Sequence, residues 1–133
     1  MKILTIHPSW AQLIFSQRVD VLNVPYTLCN YHSKTLGIHA AKTTPPVSRD
    51  GIYVFIRNQL GDHDIPTIEK LRDRGETGAI IGTVTVGGLI ARSNWGMYGM
   101  FKYQVHDVRK LPIPIPAKGH PWLWNYDLEE VSA

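Results

Sequence analysis

Two stretches of the chain hold side chains that suit contact with a phosphate or an aromatic base. His39 and Lys42 lie in IHAAK, where an imidazole can hydrogen-bond a base and an ammonium can neutralise a phosphate. Arg92, Trp95 and Tyr98 lie in a polar loop, where aromatic rings can stack on bases. The pattern favours nucleic-acid binding. A hydrogen-bonded core histidine, a solvated lysine and a hydrophobic plug remain the alternatives for the same residues.

Four further side chains complete the predicted binding set. Trp10 lies near the start of a predicted helix, whose free amides attract anions, although core packing is the favoured role for its ring. Arg18 lies in the turn after that helix, and Tyr31 and Lys34 precede a predicted strand. All nine residues are therefore expected to face a ligand along a basic and aromatic surface.

Motifs for other chemistries are missing from the sequence. It contains no GxxxxGK[ST], GxGxxG, HExxH or GxSxG pattern, and its six histidines never recur at i, i+4. Cys29 is the single cysteine, which gives neither a disulfide framework nor a thiolate metal site. Asp62 and Asp64 are expected to form a solvated turn. No catalytic residue, metal or cofactor is predicted from these motifs.

Composition predicts one folded domain over residues 1–133. The chain is 44% hydrophobic and carries a net charge of +3. No apolar run approaches the ~20 residues of a membrane span, and the first residues do not resemble a leader, so a cytoplasmic protein without a membrane partner is expected. Residues 18–57 are basic, which suits a polyanionic partner, although composition alone favours ordinary solubilising charge. Their charged side chains are Arg18, Lys34, Lys42, Arg49 and Arg57 against Asp20 and Asp50.

Hydrophobic periodicity predicts an α+β fold with two or three helices between strands, in which the strands form a small, curved antiparallel or mixed sheet or a small β-barrel. Six short strands are expected, over residues 2–7, 19–24, 35–40, 79–90, 101–108 and 122–126. Gly82 should let a neighbour approach its strand closely, and the prolines of 111–119 should confine that segment to a sheet edge or linker.

Three helices are predicted between these strands. The first covers 9–16 and begins with a capping box of Ser9 and Gln12. The second follows Asp50 as its cap, although the letters IYVFI also fit a strand. The third starts with Pro66 in its first turn and ends before Gly75. The letters TTPPVSRDG predict a break in regular structure before the second helix.

Four stretches of the chain, in order, resemble the ASCH family of PUA-like β-barrel domains. They are HPSWAQLI, LGIHAAK, GAIIGTVTV and RKLPIPIPAKGHPWLWNY, and they span nearly the whole chain. The resemblance implies a single ASCH/PUA-like domain with a ligand cleft beside the first helix. Tyr31 and Lys34 fall where the family often has Y-R-G, with the glycine missing.

The chain departs from the family's G-x-K-x-x-E-x-R cleft motif. Aligned from Pro8, these positions hold Gln17, Val19, Leu22 and Val24. In the closing segment the second glycine falls on Trp122, or the spacing differs there. Aliphatic side chains cannot transfer protons, so catalysis by the family's cleft residues is not expected.

Three functions remain open at this stage. The first is a non-catalytic module that binds nucleic acid, RNA above all. The second is a nucleoside- or RNA-directed hydrolase or ribonuclease with a cleft rebuilt from His39, Lys42 or Tyr31. The third is a protein-interaction or inhibitor domain, of a kind found in phage or mobile elements, in which the aliphatic replacements form an apolar surface.

Overall fold

A computed structural model describes residues 1–44, 50–61 and 66–127 of the protein. Part of the predicted proline-rich break, Arg49, and the predicted turn at Asp62 and Asp64 lie outside these ranges.

The described chain folds into six strands and three helices, a mixed α+β architecture that confirms the predicted class. The strands are β1 (Lys2–Ile6), β2 (Val21–Val24), β3 (Thr35–Ala40), β4 (Ala79–Leu89), β5 (Phe101–Pro116) and β6 (Leu123–Asn125). The helices are α1 (Pro8–Phe15), α2 (Gly51–Leu60) and α3 (Ile68–Asp73), with a 3₁₀ turn over Cys29–Tyr31.

All six strands form one curled sheet in the order β2-β5-β4-β3-β1-β6. β1 and β3 are parallel, and the other neighbours are antiparallel. The two ends of the sheet approach each other, because the ring of Tyr26 after β2 lies 4.6 Å from that of Trp122 before β6. The sheet is therefore a half-barrel with a seam between β2 and the β1–β6 end.

Helix α1 forms where its apolar periodicity predicts, but its cap is different. The N-cap is His7, whose Nδ1 accepts a hydrogen bond of 3.1 Å from Ser9 N. Within the described residues the Ser9 hydroxyl and Gln12 Oε1 have no hydrogen-bond partner, so the predicted capping box is wrong. Pro8 explains the shift, because proline at the first helical position makes the preceding residue the cap.

The other two helices begin at side-chain caps. Asp50 Oδ1 accepts from Tyr53 N at 3.0 Å, which confirms the predicted cap of α2 and a helix rather than a strand. Helix α3 is capped by Thr67, whose hydroxyl accepts from Lys70 N, so Pro66 lies before the helix and not in its first turn. Gly75 follows the helix at φ 73°, as its predicted end requires.

Two sequence features explain the centre of the sheet. A Cβ atom at Gly82 would lie 2.3 Å from Arg109 O and 2.6 Å from the Phe15 ring, which confirms the predicted close approach. β5 continues past the predicted end at residue 108 to Pro116. Within the described residues β2 pairs with residues 101–104 of β5, so the proline-containing extension has β4 on one side and a free edge on the other, as predicted for an edge segment.

The core lies between α1 and the concave sheet. Val19, Leu22 and Val24 belong to it and are at least 97% buried. None of the helices in residues 1–44, 50–61 and 66–127 is long and apolar enough to span a membrane.

Candidate ligand-binding cavity

A cavity of about 380 Å³ lies at the seam of the half-barrel and is called the seam cavity here. β1 and β2 supply its floor through the aliphatic side chains Leu4, Ile6, Leu22 and Val24. Strands alternate their side chains between two faces, so these residues project from the concave face of their strands. Ligand pockets are characteristically apolar, concave and of this size.

Aromatic rings form one rim of the seam cavity. Trp122 is 63% exposed and packs at a tilt on the half-buried Tyr26. The backbone of Trp122 has φ 65°, a left-handed conformation that is unfavourable for a bulky side chain. Burial raises the pKa of Tyr26 above its ordinary 10.0, so its phenol is neutral at physiological pH. The rim thus offers two uncharged aromatic faces.

The loop between β4 and β5 forms the opposite wall. Asn23 anchors this loop, because its Nδ2 donates to Trp95 O and its Oδ1 accepts from Met97 N, both at 2.9 Å. Met97 and Met100 line the cavity, and thioether side chains adapt readily to ligands of different shape.

Trp10 and Trp95 meet beside the cavity. Their ring centroids are 5.9 Å apart in an edge-to-face arrangement, and Phe55 stacks on Trp10 at 6.0 Å. Trp10 lines the seam cavity but is only 4% exposed, and its Nε1 donates to Val21 O at 2.8 Å. These contacts make the Trp10 ring a fixed wall of the site.

A buried His7–Asp50 pair joins α1 to α2 at the cavity wall. His7 Nε2 donates to Asp50 Oδ2 at 2.6 Å, while His7 Nδ1 accepts from Ser9 N. Both ring nitrogens of His7 therefore form hydrogen bonds within the fold, so His7 has no free ring nitrogen to act as a base toward a ligand. Thr43 and Thr44 also line the cavity. Within the described residues their hydroxyls have no hydrogen-bond partner, which leaves them open to a ligand.

His39 lies inside the protein and does not line the seam cavity. It is 1% exposed, its Nε2 donates to Ala117 O at 2.7 Å, and its Nδ1 lies 3.3 Å from Thr5 Oγ1. Trp124 Nε1 donates to that same hydroxyl at 3.0 Å. With both ring nitrogens bonded, His39 offers neither of them to a ligand. Burial lowers its pKa below the usual 6.5, and therefore the ring is neutral.

The remaining predicted site residues lie in separate places. Lys42 is exposed and borders an open groove with Gly78 and Lys118. Arg92 and Tyr98 border another groove on the outer side of the 91–100 loop.

Tyr31 and Lys34 precede β3, whereas Lys42 follows it, so they are separated by the length of the strand, about 20 Å. Tyr31 packs against the core and Lys34 is exposed. Arg18 is exposed in the turn after α1. The structure thus brings together only Trp10 and Trp95, with Lys42, Arg92 and Tyr98 on flanking surfaces.

Sequence reasoning missed the residues that define the rim. Tyr26 and Trp122 are far apart in the chain, and only the curling of the sheet brings them together. One signal was available for Trp122, since the closing segment of the resembling family has a glycine at this position. A glycine in a family pattern can indicate a backbone with positive φ, which other residues rarely adopt.

Comparisons with known proteins add no assignment, because no family model and no curated protein matches the chain. Within the described residues, no three His, Cys, Asp or Glu side chains cluster as they would to hold a metal ion.

Proposed function

We propose that this protein is an ASCH-type, PUA-like module that binds single-stranded RNA and takes an unstacked base into the seam cavity without acting on it chemically. The observation that carries the proposal is the cavity itself, an apolar space rimmed by Tyr26 and Trp122. RNA recognition relies largely on unstacked bases that stack on aromatic side chains. Lys42 directly follows the lining residue Ala41 and provides a positive charge beside the cavity.

Backbone conformation supports the family resemblance. Four described non-glycine residues have positive φ, and three of them fall where the family pattern has glycine. Gln17 (φ 61°) occupies the glycine position of the cleft motif. Trp122 (φ 65°) occupies the second glycine position of the closing segment. When Tyr31 is aligned with the tyrosine of Y-R-G, Ser33 (φ 62°) occupies the glycine position. A backbone of the glycine type without glycine is uncommon, so the coincidence favours a shared fold.

Contacts between the resembling stretches give a second line of support. His39 comes from LGIHAAK, whereas Gly119 and Trp124 come from the closing segment. A Cβ atom at Gly119 would lie 2.8 Å from the His39 ring, and the centroid of the Trp124 ring lies 5.6 Å from that of His39. The residues that carry the resemblance thus pack on one another, as expected of positions that define a fold.

The lining favours binding over catalysis. Leu22 and Val24, which take the Glu and Arg places of the family motif, form part of the cavity floor. His39, Lys42 and Tyr31, the basis of the enzyme hypothesis, do not line the cavity together. Thr5, His7 and Asn23 also border the cavity, and the side chain of each already has hydrogen-bond partners in the fold. A largely apolar pocket of this kind holds a base mainly by stacking and shape, and the hydroxyls of Thr43 and Thr44 stay open to hydrogen-bond it.

The protein-interaction hypothesis loses its main support. It requires Val19, Leu22 and Val24 to form an exposed apolar surface, but all three are in the core.

Fluorescence anisotropy with short single-stranded and duplex RNA and DNA, each at two salt concentrations, tests the proposal. Single-stranded RNA is expected to bind most tightly, with an affinity that falls as salt rises. Trp122→Ala should weaken binding by about 1–3 kcal/mol, roughly 5- to 150-fold, because it removes one stacking surface. Lys42→Ala should weaken binding through the loss of one positive charge.

Ile113→Ala is the matched control, because it also shortens an exposed apolar side chain but does so at the far end of β5. It should leave the affinity unchanged. Failure of all four nucleic acids to bind at low salt would refute the proposed function. Equal affinities of wild type and Trp122→Ala would move the binding site away from the seam cavity.

A further inference from the structure

We infer that the RNA backbone leaves the seam cavity across a second, separate site, a phosphate-binding patch formed by Lys42, Arg72 and Lys118. This surface is called the strand-end patch, and the inference rests on the proposed function. Its three cations come from three different segments. Lys42 follows β3, Lys118 follows β5 and Arg72 lies on α3. All three border one open groove, and none of its lining residues within the described part of the chain is acidic.

The cations of the patch differ in pairing from others close by. Lys110 Nζ lies 2.7 Å from Glu76 Oε1, and Arg109 Nε lies 3.4 Å from Asp107 Oδ1. Within residues 1–44, 50–61 and 66–127, neither Lys42, Arg72 nor Lys118 has an ion pair. Like charges around one groove repel each other, and a bound anion relieves that repulsion.

The backbone under the patch is held in place by hydrogen bonds among the strand ends. Gly78 N donates to Ala40 O at 2.8 Å, and Ala117 N donates to Gly78 O at 3.1 Å. His39 Nε2 donates to Ala117 O from below. Gly78 also allows the Lys42 stem to pack closely, because a Cβ atom there would lie 3.2 Å from Lys42 Cβ. The backbone next to Lys42 and Lys118 is therefore preorganised, which lowers the entropic cost of binding.

The patch and the seam cavity lie on two sides of one short segment. Ala41 and Thr43 line the cavity, whereas Lys42 between them borders the groove of the patch. Lys42 thus connects the two surfaces. A nucleotide whose base enters the cavity places the following backbone phosphates beside this segment. The ligand class for the patch is accordingly a phosphodiester, read by charge and without base specificity.

The test is the salt dependence of oligoribonucleotide binding by the full chain, from about 50 to 200 mM salt. Each phosphate contact on a single strand contributes about 0.7 to the slope of log affinity against log salt. Arg72→Ala and Lys118→Ala should each lower the slope by about that amount, and the double variant by about twice as much. Lys70→Ala is the control, because it removes an exposed cation from the same helix outside the groove and should leave the slope unchanged.

Trp122→Ala separates this inference from the proposed function. It should weaken binding while keeping the wild-type slope, because stacking releases no counterions. Slopes for Arg72→Ala and Lys118→Ala equal to that of Lys70→Ala would overturn the patch and leave the cavity proposal intact. Absence of oligonucleotide binding to the wild-type protein would overturn both.

Discussion

Two buried histidines use both ring nitrogens to hold the fold together. His7 links the start of α1 to Asp50 at the start of α2, and His39 links Thr5 of β1 to the end of β5. In neutral His39 the Ala117 carbonyl favours the tautomer with its proton on Nε2. Nε2 carries the proton toward Ala117 O, and Nδ1 accepts from the Thr5 hydroxyl. His39 therefore positions the segment that carries Lys118, and both of its ring nitrogens are used within the fold.

Acid is expected to destabilise the protein through His39. Burial lowers the pKa of His39 below 6.5, the hydrogen bond to Ala117 partly opposes that shift, and His120 adds to it. The unfolded chain therefore binds a proton at a higher pH than the folded chain does. The stability that neutral His39 provides is complete above pH 6.5 and is lost as the pH falls through its folded pKa.

Urea unfolding of wild type and His39→Gln over a pH series measures this effect. At neutral pH the variant should be less stable by about 1–3 kcal/mol, since buried hydrogen-bonding groups lose their partners. The difference should shrink as the pH falls below 6.5. His106→Gln, a change at an exposed histidine of β5, is the control and should keep the wild-type profile. Parallel profiles for wild type and His39→Gln would contradict the prediction.

At the scale of elements, local periodicity predicted most of what positions the site. The apolar pattern located α1, β3 and β4 to within about one residue, and Gly82 marked a close approach. The cap of α1 was predicted at Ser9, but Pro8 occupies the first helical position and makes His7 the cap. Local rules placed the prolines of β5 at a sheet edge but ended the strand at residue 108, because they did not predict that its pairing with β4 continues to Pro116.

Interactions between distant segments could not be predicted from these patterns. Asn23 is an ordinary polar residue of a short strand in the sequence. In the structure its side chain holds the 91–100 loop against the core through two hydrogen bonds. The same holds for the His7–Asp50 pair, whose partners lie on different helices. Spacing along the chain contains no information about such contacts, so the wall of the seam cavity could not be assigned from sequence.

Asn23→Ala should release the loop that walls the seam cavity. The variant loses the acceptor of Met97 N–H and the donor to Trp95 O, so the amide of Met97 should exchange hydrogen faster. A loss of about 1–3 kcal/mol in the free energy of unfolding should accompany it. Hydrogen exchange resolved by residue measures the first effect, and urea unfolding measures the second.

Two controls make the Asn23 result specific. The Gly96 amide bonds to Ser93 O within the loop, so its protection should change less than that of Met97. Asn125→Ala alters an exposed asparagine of β6 and should leave the loop unchanged. Unchanged exchange at Met97 in Asn23→Ala would show that other contacts hold the loop.

At the scale of the whole molecule, the seam of the half-barrel is the part of the fold that forms the candidate site. The half-barrel has two ends, and Tyr26 and Trp122 are the residues through which those ends touch over the cavity. The left-handed backbone of Trp122 directs its ring toward Tyr26 at a cost of about 1–3 kcal/mol in local strain. We expect that this strain is retained because the ring contributes to binding.

Replacement of Trp122 by glycine and by alanine measures the strain directly. Both variants lose the contact with Tyr26, and they differ only in the Cβ atom. Because a Cβ atom is unfavourable at φ 65°, Trp122→Gly should be more stable than Trp122→Ala by up to about 1 kcal/mol in urea unfolding. Ser16, with φ −86°, is the matched position, and there glycine should be the less stable replacement. If alanine were the more stable residue at both positions, the backbone at Trp122 would be unstrained, and strain would give no argument for the ring's part in binding.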